Sequence, residues 1–252
     1  MSVTLSKKLL KTIGKTNYEY ELIKDGDKVL LGLSGGKDSL NLAHVLKHLS
    51  SCSPFSFEWE AVTIVYGMGE DYLELVRHCE ENDLPHKIVD TNIYQTAQEK
   101  IRENSSFCSF FSRMRRGALY TYALENGFNK VALGHHLDDA AESFFMNLFY
   151  NGSLRTMPPI YRAYNDLLVI RPMIKVRERA LRDSAIKNMM PTYGDEMCPG
   201  MNFEAKMPHA REEMKKLLAS LEEEHKDMFT YMQKAFSNIH DDSFFDKKRL
   251  SY

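Results

Sequence analysis

Three groups of residues in this chain are of types, and at spacings, that could do chemistry. Ser34-Gly35-Gly36-Lys37-Asp38-Ser39 places two glycines, a lysine, a carboxylate and two hydroxyls within six positions. Glycines bare main-chain N–H groups, and where such a turn opens a helix the positive end of the helix dipole adds to them. The string is therefore suited to an anion, and a nucleotide phosphate is the expected one. It is not a Walker A loop. That motif wants glycine six residues before its lysine, where Leu31 stands, and a hydroxyl directly after it, where Asp38 stands.

The second group is Gly134-His135-His136-Leu137-Asp138-Asp139, followed by Glu142. Acids in a first helical turn are stabilised by the dipole at about 0.3–1 kcal/mol, which accounts for part of the pattern. Adjacent carboxylates beside a phosphate site are also what Mg²⁺ takes, since it binds one or two carboxylates plus substrate phosphates. Asp139 and Asp38 are the expected Mg²⁺ ligands. Gly134 would let a strand end approach a flat ligand closely, with His135 beside it.

The third group is Cys108 with Arg113-Met114-Arg115-Arg116-Gly117, and the distant Cys198 in Asp195-Glu196-Met197-Cys198-Pro199-Gly200. A thiol at a helix N-terminus near guanidinium groups is biased toward thiolate. Arg115 falls on the same helical face as Leu119 and Tyr122 and should point inward. Arg113 and Arg116 point elsewhere and suit the phosphates of a nucleic-acid backbone. Cys79 shares a helical face with Tyr72, Leu75 and Val76 and reads as core, while Cys52 lies in a Ser/Pro loop.

Positioning the first two groups requires strands that end at each of them. Short apolar runs at Val29–Leu33, 59–66, 87–89, 130–133 and 167–170 predict strands. Helical spacing predicts helices over 3–20, 38–49, 70–82, 112–126 and 138–150, another from about Glu178, and a long helix or helix pair over 208–239. Alternation of this kind argues a parallel sheet covered on both faces, with ligands at the carboxyl ends of its strands. We expect an α/β domain over residues 1–200 and a helical C-terminal extension over 201–252. The apolar face of the extension, carrying Met214, Leu217, Leu218 and Leu221, would pack on the main domain or on a homodimer partner.

Composition bounds the partners. With 252 residues, 43% of them hydrophobic and 27% charged, the chain can bury a core and has no membrane-length apolar run. Four unpatterned cysteines point to reduced thiols and a cytoplasmic setting. Net charge is only −2, yet residues 101–190 hold 13 Lys/Arg against 8 Asp/Glu, so +5 there is offset by −7 elsewhere. A basic face on the middle of the chain would suit a polyanion.

The Ser34–Ser39 string resembles the SGGxDS signature of the PP-loop ATP pyrophosphatases, which cleave ATP between its α- and β-phosphates and leave AMP on a substrate oxygen. Taken with Cys108…Arg113–Gly117, Leu133–Asp139, Asn147–Tyr150, Met157-Pro158-Pro159, Ile170-Arg171-Pro172, Cys198 and Asp241–Asp246, the chain resembles the tRNA 2-thiocytidine synthetase family nearly end to end. The resemblance implies a Rossmann-like PP-loop fold and ATP-dependent replacement of the 2-oxygen of cytidine 32 in tRNA by sulfur. Ser34, Gly35, Gly36, Lys37 and Ser39 would then hold the pyrophosphate, with Gly134 and His135 also at the ATP. Asp38 and Asp139 would serve Mg²⁺, Arg115 would face phosphate charge, and Arg113 and Arg116 would meet tRNA.

One departure matters. The family carries Cys-x-x-Cys plus a third, distant cysteine that together hold a 4Fe-4S cluster. Cys108 and Cys198 match the first and third, but Phe111 stands at the second, and phenylalanine cannot ligate iron. The substitution counts against an ordinary cluster. It leaves open a two-cysteine route in which one thiol carries a persulfide and the other releases its sulfur as a disulfide forms, with sulfide or a donor protein as the source. Two other functions stand beside thiolation: a PP-loop ligase or amidase with bystander cysteines, and a nucleotide-binding partner protein without turnover.

Overall fold

A computed structural model describes residues 3–100, 107–163, 166–193, 209–240 and 243–245. They form two compact units, Met1–Asp138 with Pro158–His209, and Asp139–Met157 with Ala210–Tyr252. None of the described helices is long and apolar enough to cross a membrane.

The first unit is built on a six-stranded sheet. Its strands are β1 (Lys28–Gly32), β2 (Glu58–Ile64), β3 (His86–Val89), β4 (Lys130–Ala132), β5 (Ile160–Arg162) and β6 (Leu168–Ile170), in the spatial order β3-β2-β1-β4-β6-β5. All neighbours are parallel except β5, which pairs antiparallel with β6 through Tyr161 opposite Val169. The order reverses between β1 and β4, so the crevice at that switch point opens where both Gly-containing motifs begin.

Buried strands read as continuous apolar runs because both faces are covered. On one face Val29 and Leu31 pack with Leu42, Val45 and Leu46 of α2 (Lys37–Cys52), with Leu9 and Ile13 of α1 (Lys7–Tyr20), and with Leu181 of α7 (Glu178–Lys187). On the other, Leu30, Val62 and Val131 pack with Phe111, Leu119 and Ala123 of α5 (Phe107–Glu125) and with Ile93 and Ala97 of α4 (Ile93–Lys100). Cys79 lies in α3 (Leu73–Glu81), where burial pushes its thiol up to about 12, so it is the core residue its spacing implied.

Several expectations need adjustment. Helix α1 starts at Lys7 rather than residue 3, because the Ser6 side chain accepts the Leu9 N–H and caps it there. Helix α4 was not foreseen; its short apolar pattern, Ile93 and Ala97, is one turn deep. Helix α5 begins at Phe107, ahead of the expected 112. Strand β5, directly after Pro158-Pro159, is not among the strands that the apolar runs predict.

In the second unit, the expected helix over 208–239 is a pair, α8 (His209–Glu224) and α9 (Met228–Ala235), beside α6 (Leu137–Tyr150). Met214 and Leu218 are buried, and the Phe144 and Phe236 rings lie 5.4 Å apart.

Candidate active site

Strand β1 delivers Ser34 to a turn that only glycine fits. Gly35 has φ +82°, and a Cβ there would meet Tyr193 Cδ2 at 2.9 Å. Gly36 is the N-cap of α2 and has no side-chain cap, so the first amides of that helix keep the anion-binding character of an open helix start. Two serines brace the turn from inside. The Ser39 hydroxyl donates to Gly36 O at 2.9 Å and accepts the Ser34 N–H at 3.2 Å, while the Ser34 and Ser39 hydroxyls lie 3.1 Å apart.

Strand β4 delivers the second motif to the same place. The missing Cβ of Gly134 permits a close approach within the chain itself. A Cβ there would stand 3.1 Å from Ser39 N and 3.2 Å from the Asp38 carbonyl carbon, so its absence lets β4 run up against the first turn of α2.

Charges converge on this crevice. Lys37 Nζ lies 3.2 Å from Asp38 and 3.0 Å from Glu178, at the start of α7. Burial works to lower the Lys37 pKa, but the Asp38 and Glu178 carboxylates outweigh it and hold the ammonium above its ordinary value. The buried His136 ring sits between carboxylates, 3.7 Å from Asp38 through Nε2 and 3.7 Å from Asp138 through Nδ1. Asp138 accepts the Glu178 N–H at 2.7 Å and pairs with Arg177 at 3.1 Å, which makes it the cap of α7. Arg171 Nε donates to His135 Nδ1 at 3.2 Å while its Nη1 donates to Pro158 O at 2.7 Å. Arginine has no acceptor, so in a neutral His135 ring the proton is on Nε2.

In the second unit, Asp139 accepts a hydrogen bond from Arg211, which also reaches Glu142 at 2.7 Å. Burial pushes the Glu142 carboxyl up, more than Arg211 pulls it down.

The structure thus brings Ser34 through Ser39 together with Gly134 and His135, all in the first unit. Arg115 is half-buried with its guanidinium 5.8 Å from the Tyr66 ring centroid, whereas Arg113 and Arg116 are exposed, as their spacing implied. The backbone of Cys108 falls in the first turn of α5, but its side chain and all of Cys198 lie outside the described residues, as do residues 241, 242 and 246 of the C-terminal motif. Phe111 is 1% exposed and packs edge-on against Tyr66 and Phe110, so the position of the missing cysteine is filled by core. Among the described residues no three His, Cys, Asp or Glu side chains form a metal-sized group.

Sequence reasoning missed Arg177, Glu178 and Tyr193. Glu178 opens a helix and reads as an ordinary first-turn acid, and Arg177 has no local pattern. Tyr193 accepts the Leu75 N–H at 3.3 Å and donates its own backbone N–H to Gly35 O at 3.0 Å, contacts that no spacing reveals.

Residues 1–207 match the PP-loop domain model ATP_bind_3. The chain is 36% identical to the tRNA-cytidine(32) 2-sulfurtransferase of Geobacter sulfurreducens over 92% of its own length and 90% of that protein's. It is 35% identical to that of Geotalea daltonii, covering 98% and 97% of the two chains. Among solved structures it resembles the U34-tRNA thiolase NcsA of Methanococcus maripaludis, determined with its 4Fe-4S cluster, at TM-score 0.70 and 23% identity over 93% of this chain and 80% of that one. The NH3-dependent NAD synthetase of Campylobacter jejuni shares the fold at TM-score 0.52 and 17% identity, over 97% and 89% of the chains.

Proposed function

We propose that this chain, which belongs to the PP-loop domain family and to the tRNA-cytidine(32) 2-sulfurtransferases within it, uses ATP to replace the 2-oxygen of cytidine 32 in tRNA with sulfur. The observation that carries the reading is the Gly35-Gly36 turn at the switch point, braced by Ser34 and Ser39 and flanked by Lys37.

The cytosine carbonyl is a poor electrophile with a poor leaving group. Attack of its oxygen on the α-phosphate expels pyrophosphate, which the α2 amides, Lys37 and the two serines would hold as charge builds on it. The oxygen is then part of an adenylate and departs as AMP when sulfur adds at C2. Arg115 would meet phosphate charge and Arg113 and Arg116 the tRNA backbone. His135, held by Arg171 with Nε2–H outward from that bond, would donate to the nucleotide rather than accept from it.

A single carboxylate with phosphate oxygens is a donor set that suits Mg²⁺, and Asp38 supplies one in the first turn of α2. Asp139, the other expected Mg²⁺ ligand, belongs to the second unit and is paired there with Arg211. Bound at Asp38, Mg²⁺ would supply phosphate charge neutralisation.

The residues present do not fit a three-cysteine cluster, because the Phe111 ring occupies the core where a ligand would be needed. Sulfur delivery is assigned to Cys108 and Cys198. A persulfide on one thiol adds its terminal sulfur to C2 and AMP leaves. The other thiolate then attacks the inner sulfur, which breaks the S–S bond and leaves thiocytidine and a Cys108–Cys198 disulfide. Two routes close the cycle: a dithiol reductant opens that bond and a persulfide donor then transfers its outer sulfur to the freed thiol, or sulfide attacks the disulfide itself and leaves one persulfide and one thiolate.

The test is tRNA from a deletion strain: loss of 2-thiocytidine, restored by the wild-type gene and not by Lys37→Met, supports the assignment. Unchanged 2-thiocytidine overturns it. Iron and sulfide analysis of anaerobic protein separates the sulfur routes, since stoichiometric iron lost on Cys108→Ala would contradict the two-thiol scheme.

A further inference from the structure

Helix α1 carries a face that neither the nucleotide site nor the core accounts for. Its inward residues Leu9, Ile13 and Thr16 are buried. On the other side, at about 100° per residue, Lys7, Lys8, Lys11, Lys15 and Tyr18 fall within an arc of roughly 100° and span about 16 Å of helix. All four lysines are exposed and Tyr18 is 88% exposed.

Two observations separate this face from an ordinary solvated one. The lysines have no ion-pair partner among the described residues, and the only acids at the far end of the helix are engaged elsewhere: Glu19 with Lys175 at 2.6 Å and Glu21 with Lys24 at 2.7 Å. In addition, Lys7 and Lys8 occupy the first turn, which contains no acid, where the helix dipole disfavours cations. Local stability would favour the opposite charge there. Conflicts of this kind between local charge and local structure are expected at functional sites.

We propose that the Lys7/Lys8/Lys11/Lys15/Tyr18 face of α1 is an RNA-binding surface that holds a phosphate backbone and stacks an unpaired base on Tyr18. The reading rests on the tRNA substrate proposed above. Positive charge alone would also suit an anionic membrane, but an interfacial helix must insert an apolar face, and that of α1 is already committed to the core. An exposed aromatic beside a cationic track is the arrangement that grips single-stranded nucleic acid. The face is joined to the site through its own unit. Thr4, just before α1, accepts and donates hydrogen bonds with Asn188 at the end of α7, and α7 begins at Glu178 beside Lys37.

The test compares wild type with a Lys7→Gln, Lys8→Gln, Lys11→Gln, Lys15→Gln variant and with Tyr18→Ala, using an unmodified tRNA transcript and a salt series. Each phosphate contact adds about 0.7 to the slope of log K against log salt for single strands, so the quadruple variant should lose about 2–3 from that slope. Tyr18→Ala should weaken binding at least about fivefold with the slope intact. ATP affinity without tRNA should be unchanged, and Tm equal or higher because the dipole conflict is relieved. Unchanged slope and affinity overturn the proposal, as does binding of anionic phospholipid vesicles lost in the variant while tRNA binding persists. If wild type binds tRNA through this face but makes no thiocytidine, the function assigned above falls and the surface stands. If thiolation occurs with the slope unaltered, the surface alone falls.

Discussion

The same pair of side chains, lysine and aspartate, occurs at opposite ends of the central strands with opposite character. At the amino ends of β1 and β4, Lys130 and Asp27 lie 2.6 Å apart with side chains only 4% and 9% exposed. Each partner has further hydrogen bonds: Lys130 also donates to Leu22 O at 2.8 Å, and Asp27 accepts from Asn129 at 2.8 Å and from the Lys24 N–H at 2.6 Å. Burial pushes the Asp27 carboxyl up, yet Lys130 and these donors hold it below its ordinary range. At the carboxyl ends, Lys37 and Asp38 are 3.2 Å apart, 27% exposed, and share the ammonium with Glu178. The first pair is closed on itself and can only stabilise. The second is slack and reachable, so it can exchange partners with a phosphate.

That contrast is broken most directly at Lys37. Lys37→Met should lower tRNA-dependent release of pyrophosphate by about 10³-fold, the scale of losing a preorganised charge on a transferring phosphoryl group, with Tm nearly unchanged. Lys130→Met should do the reverse. It strands the Asp27 carboxylate and costs about 3–5 kcal/mol in urea unfolding, while the folded enzyme keeps its turnover. An apolar double variant, Asp27→Leu with Lys130→Met, should recover most of that loss. Equal destabilisation by the two lysine substitutions would erase the distinction.

The two ends were not equally legible in sequence. The carboxyl end announces itself because Ser34–Ser39 and Gly134–Asp139 are contiguous strings whose residue types fit one purpose, and the strands before them are short apolar runs. Asp27 and Lys130 are 103 positions apart, and each taken alone reads as a solvated charge; only the register of β1 against β4 joins them. The same limit hid Glu178 and Tyr193. Phe111 was legible as a missing cysteine, but that its ring is core depends on the packing of α5 against β2, which periodicity gave only in part. Helix α4 and strand β5 were too short for a period to show.

A milder way to sharpen the contrast is at the loop itself. Gly35→Ala forces a Cβ into positive φ and against the Tyr193 ring, at a cost of about 3 kcal/mol. Loss should appear in ATP affinity as well as in unfolding, since the strained residue is the one that shapes the anion turn. A change in stability alone, with ATP affinity intact by calorimetry, would mean that the turn does not meet the nucleotide.

The smallest effect comes from a third region, between α2 and α3, where His44 and His78 face each other through their Nε2 atoms at 2.9 Å. Such a contact needs one nitrogen to donate and the other to accept, so at least one ring must be neutral. Burial, with help from His78 and Lys47, brings the His44 pKa down from 6.5 to about 4, and burial also lowers that of His78. The folded state therefore binds fewer protons than the unfolded chain, and stability is complete above the unfolded value and lost as pH falls through about 6.5 toward 4. By pH 5 the loss from His44 alone should approach about 2 kcal/mol in urea unfolding. A His44→Gln, His78→Gln variant should flatten that dependence without moving the Asp27 contribution, which is lost only at lower pH as its depressed carboxyl protonates. If acid instead released stability uniformly in both proteins, the histidine pair would not be its source.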